Sequence, residues 1–132
     1  MILNTSKTEN WIGNLFKRDF INEEYCDEEF VDEYLDQRDS DPFDLKWTEA
    51  NKYLEIYIDQ NLSVKEIEEI EKIKEKWRVL FFQKVIKITQ HPDLAAYVSE
   101  DIDLIIGYML TGEKNSFIEG MIQSFENGEL PG

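Results

Sequence analysis

The chain has 132 residues, 42% of them hydrophobic and 17 of them aromatic, and a formal net charge of −15. That is the length of one compact domain, and so large an apolar share argues against a disordered polyanion. Acidity of this size argues against nucleic acid and anionic membranes as partners, and the lone Cys26 excludes an internal disulfide or a site of several thiolates.

The start, Met1-Ile2-Leu3-Asn4, has neither the basic end nor the apolar middle of a signal peptide, and no run of about eighteen apolar residues follows. The expectation is a soluble, cytoplasmic protein. Thr8 is the expected cap of a first helix, in which Trp11, Ile12, Leu15 and Phe16 fall on one face and Lys17 and Arg18 sit at the C-terminal end.

Charge then becomes very uneven. Residues 1–18 carry +2, residues 19–44 carry −11, residues 45–92 carry +1 and residues 93–132 carry −7. Within the acidic stretch, Asp27 is placed to cap a short second helix whose inner face is Phe30, Val31, Tyr34 and Leu35. At about 100° per residue, Glu28, Glu29, Asp32, Glu33 and Asp36 share the opposite side, with no Lys or Arg among them. The like-charge pairs at four-residue spacing cost on the order of 1 kcal/mol together, which solubility alone does not require. These five carboxylates are the candidate partner-binding residues, with Tyr25 and Tyr34 as candidate apolar anchors beside them. A merely solvated face is the plainer reading.

Gln37 to Asp44, with Pro42, reads as a turn. Asp39, Asp41 and Asp44 imitate a calcium loop, but Asp44 stands where the loop needs glycine and Ala50 where it needs glutamate. A third helix is expected from about Trp47 to Gln60, stopped at Asn61.

Ser63 and Glu66 have capping-box spacing, and Val64, Ile67, Ile70, Ile73, Trp77, Leu80, Phe81, Val85 and Ile88 continue at helical steps. This predicts one long helix to Gln90, with Trp77 to Ile88 as its central half, although Val79 to Ile88 is also rich enough in β-branched and aromatic residues for a buried strand. His91-Pro92 ends it, and His91 reads as a loop or cap residue, since no nucleophile or metal constellation accompanies it. After a short apolar turn from Leu94 to Val98, Ser99 is expected to cap a helix from Glu100 to Leu110. Glu100, Asp101, Asp103 and Glu113 form a second acidic edge. Ser116 and Glu119 repeat the capping-box spacing ahead of a last helix, and Gly128 stands where a left-handed cap belongs.

The expected fold is all-α, a single domain over residues 1–132 with five to seven helices around the long one. No Gly-rich phosphate loop, His-Glu-x-x-His or Ser/His/Asp order is present, so no catalytic residue, metal ligand or cofactor is assigned, and the chain reads as a non-enzyme. The function that fits is an acidic, non-catalytic binder of a basic protein. The alternative is a structural or regulatory module that oligomerises or pairs through Ile67, Ile70 and Ile73 of the long helix.

The tail, Asn115-Ser116-Phe117-Ile118-Glu119-Gly120-Met121-Ile122-Gln123-Ser124-Phe125-Glu126-Asn127-Gly128-Glu129-Leu130-Pro131, resembles the closing helix of small bacterial immunity proteins encoded beside polymorphic or contact-dependent toxins. The resemblance covers under a quarter of the chain. It implies that the protein binds and neutralises a cognate toxin, commonly a nuclease, and it carries no binding residue onto the acidic helix, which lies outside the matched stretch.

Overall fold

The computed structural model describes residues 2–132; Met1, with its share in the reading of the first four residues, lies outside them. The described residues form six α-helices and one 3-10 turn, with no strand. The elements are α1 (Thr5–Phe16), the 3-10 turn (Glu23–Cys26), α2 (Glu28–Arg38), α3 (Phe43–Asn61), α4 (Val64–Thr89), α5 (Pro92–Thr111) and α6 (Ser116–Glu126).

The frame is the α4–α5 hairpin. α4 begins at the capping box: the Ser63 hydroxyl accepts the Glu66 N–H at 3.2 Å, and the Glu66 carboxylate accepts the Ser63 N–H at 2.9 Å. It then runs for 26 residues, about 39 Å. Val79 to Ile88 is therefore helix and not strand. Gln90 takes the left-handed conformation, and His91 caps the next helix through Nδ1, which accepts the Leu94 N–H at 3.4 Å. Pro92 occupies the first turn, where its missing N–H costs nothing. α5 returns antiparallel along α4, as Asp103 reaching both Lys74 and Arg78 shows.

Burial is divided unequally within this pair. α5 is enclosed around most of its circumference, from Leu94 to Thr111. α4 buries one stripe, Ile70, Ile73, Trp77, Phe81 and Val85, while Val79 and Ile88 stay about half exposed. Gly107 lets the helices close up, since a Cβ there would lie 2.6 Å from Leu54 and 3.1 Å from Lys74. The buried side chains of all six helices form one cluster.

Four helix starts differ from expectation. α3 begins at Phe43, about one turn before Trp47. Thr8 lies inside α1, its hydroxyl donating to the Asn4 carbonyl at 2.7 Å, and the helix begins at Thr5. Ser99 lies inside a continuous α5, donating to the Arg78 carbonyl at 3.2 Å, so the apolar stretch after Pro92 is the first part of that helix. Asn115, not Ser116, caps α6: its side-chain oxygen accepts the N–H groups of Phe117 and Ile118 at 2.9 and 3.1 Å. Gly128 does turn left-handed, with φ +77°.

Candidate functional site

The site is built on α2. Asp27 has an extended backbone and its carboxylate accepts the Phe30 N–H at 3.3 Å, which fixes where the helix starts and which way it faces. Val31 and Tyr34 are buried, while Phe30 and Leu35 are half-buried at the edge. Glu28, Glu29, Asp32, Glu33 and Asp36 are all exposed on the far side. The helix therefore divides as its periodicity predicts.

What holds α2 down is a buried ionic cluster around Arg38. Its guanidinium donates to both oxygens of Asp101, at 2.9 and 2.7 Å, and to the Tyr34 hydroxyl at 2.8 Å. Trp47 from α3 donates its indole N–H to Asp101 at 3.0 Å, and the Tyr34 hydroxyl donates to the Pro131 carbonyl. Four separate parts of the chain meet there: α2, α3, α5 and the C-terminal tail. Burial pushes the Asp101 carboxyl up, against the opposing pull of Arg38 and Trp47. Burial likewise pushes the Tyr34 phenol up.

This arrangement settles the sign of the surface. Residues 19–44 hold twelve acids and one base, Arg38. All twelve acids are exposed and Arg38 is buried, so the segment presents negative charge alone. Among the described residues no Lys or Arg comes within ion-pair distance of the five α2 carboxylates. His91 lies beside the face, its Nε2 3.7 Å from Asp32. Asp93, in the first turn of α5, joins Asp27, Glu28 and Asp32 around a cleft of about 500 Å³ at this corner. The α2 run alone did not point to Asp93; the signal was the Pro92 break, which brings a new helix start beside the acidic one.

Two expectations need correction. Tyr25 and Tyr34 are not exposed: they retain 8% and 9% of their surface, and they pack edge-on to each other at 5.3 Å, with Phe30 edge-on to Tyr25 at 5.1 Å. Tyr34 lies on the inner side of α2 with Val31, and Tyr25, in the 3-10 turn, packs against it. The second acidic edge also does not exist as a surface. Asp101 is buried on Arg38, Asp103 pairs with Lys74 and Arg78, and Glu113 accepts the Tyr53 hydroxyl at 2.7 Å. Glu100 stays open, near Asp39. Asp39 itself accepts the Tyr97 hydroxyl, which pushes that phenol up to about 12.

The tail completes the site from behind. Ile118, Met121 and Phe125 bury the inner face of α6, Leu130 is buried after the left-handed turn, and Pro131 ends on Tyr34 and Arg38. The stretch that resembles immunity proteins is thus locked to the acidic helix by hydrogen bonds. The profile of a family described as "Immunity protein PIM1" matches residues 11–132, nearly the whole chain. The protein belongs to the PIM1 immunity protein family. The matched span takes in α2 and the Arg38 cluster as well as the tail, so in this PIM1 protein the acidic face and the resembling segment lie within one family unit. No match was found among curated proteins. No helix of the described residues is long and apolar enough to cross a membrane.

Proposed function

We propose that this PIM1 protein neutralises its cognate toxin without catalysis, by laying the outward face of α2 against a basic surface of the toxin, and that this surface is the nucleic-acid-binding cleft of a nuclease. The observation that carries the reading is the uncovered set Glu28, Glu29, Asp32, Glu33 and Asp36, exposed while the segment's own cation is turned inward. A nuclease cleft is lined with cations to hold phosphates, so a polyanionic helix competes for the same charges. Carboxylates would steer encounter and fix register. With Tyr25 and Tyr34 enclosed, the apolar grip falls to the half-buried Phe30 and Tyr97 at the margins of the face. The carboxylates stand on an open helix surface, which suits docking and does not enclose a substrate. The exposed thiol of Cys26 fits the reducing cytoplasm, where an incoming toxin would be met.

The alternative module pairing through α4 loses its seam, because Ile70 and Ile73 are buried against their own chain.

The test is binding to the toxin encoded beside this gene, followed by stopped-flow. Raising salt from about 50 to 500 mM should slow association roughly tenfold or more, and Asp32→Lys with Glu33→Lys should do the same at low salt while the fold persists. Association indifferent to both salt and charge reversal would remove α2 as the docking face.

A further inference from the structure

α3 carries apolar side chains that its own core does not use. Leu45 and Ile56 are 52% and 47% exposed, and Tyr53 beside them is 50% exposed. Between Leu45 and Ile56, on the same stripe, lie the exposed Glu49 and Lys52. The spacing 45, 49, 52, 56 is four, three, four: the heptad spacing of a two-helix seam, here on the outside of the molecule. The order Leu-Glu-Lys-Ile has a further property. It is complementary to itself when reversed.

We propose that this outer face of α3 is a self-association surface, on which a second copy of the chain packs its own α3 antiparallel about a twofold axis beside the Ala50–Asn51 midpoint. In that register Leu45 of one copy meets Ile56 of the other, and Glu49 of one meets Lys52 of the other, each contact occurring twice. A parallel pairing would set Glu49 on Glu49 and Lys52 on Lys52, so charge selects the antiparallel arrangement. The apolar pairs close the two ends and the ion pairs occupy the middle. The seam is distinct from α2, and it is also distinct from α4, whose stripe is internal. One helix pair falls short of the roughly 1,200–2,000 Å² of a stable complex, so the dimer forms at micromolar concentrations and above.

Sedimentation equilibrium of the full chain from about 10 μM to 1 mM tests this. The average mass should rise from the monomer's 15.7 kDa toward twice that value. Glu49→Lys and Lys52→Glu each create two like-charge contacts and should weaken the dimer roughly tenfold, with helical circular dichroism unchanged because both positions are exposed. An equimolar mixture of the two variants should regain the wild-type association, since each central contact between the unlike chains again joins one acid to one base. A wild-type chain that stays monomeric throughout overturns the proposal. So does a dimer that neither variant weakens, or a mixture that associates no better than the variants alone.

Discussion

Arg38 sits among acids in the sequence and away from them in space. Exposed on α2, it would have neutralised part of the face; buried, it meets Asp101 in a two-pronged pair backed by Tyr34 and Trp47. A planar guanidinium suits that place because one group bonds a carboxylate with two parallel N–H donors and still reaches a hydroxyl. Removing it leaves Asp101 buried without its countercharge. Arg38→Ala should therefore cost about 3–5 kcal/mol by urea denaturation, while Arg38→Met with Asp101→Leu should lie much nearer the wild type. The pH dependence has a definite sign. Burial already raises the Asp101 carboxyl and loss of Arg38 raises it further, so in the Arg38→Ala variant folding favours proton uptake at Asp101. The penalty in Arg38→Ala should thus be smallest in acid and grow as pH rises through the carboxyl's folded pKa. A penalty independent of pH would mean that water or another group replaces the lost charge.

At the scale of elements, the helices follow from periodicity, but their starts depend on which polar side chain reaches the free N–H groups. Ser63 succeeds because Glu66 answers it reciprocally. Ser116 has Glu119 at the same spacing, yet Asn115, one residue earlier, takes two amides at once. Asn115→Ala should then cost about 1 kcal/mol in denaturant midpoint measurements, and Ser116→Ala less than about 0.5. The reverse order would restore the capping box as the start signal. Ser99 shows the other limit: a hydroxyl that could begin a helix instead bonds the neighbouring α4 when Pro92 has already begun one.

For the molecule as a whole, net charge acts against the fold and in favour of the proposed partner. The α2 pairs Glu28/Asp32, Glu29/Glu33 and Asp32/Asp36 repel one another, with no Lys or Arg among the described residues paired to them. Salt should therefore stabilise the free protein while weakening its proposed complex. Relief of about 1 kcal/mol corresponds to a rise of roughly 3–5 °C in Tm between about 10 and 300 mM NaCl. A Tm that falls over that range would show that favourable ion pairs, such as Lys76 with Glu9, outweigh the repulsion.

The all-helical fold, the long α4, the left-handed turn at Gly128 and the outward side of α2 are all local or periodic properties, and the amino-acid order determines them without knowledge of neighbours. The resemblance in the tail likewise pointed to the family that matches residues 11–132. Tertiary packing alone decided the rest. It chose α5 as the most enclosed helix, drew Tyr25 inward, dispersed the acids at 101, 103 and 113 onto separate partners, and turned Arg38 from the acidic surface. The reason is range. A periodic pattern says which side of a helix is apolar, whereas the partner of a polar or aromatic group lies far along the chain: Asp101 is 63 residues from Arg38, and Pro131 is 97 from Tyr34.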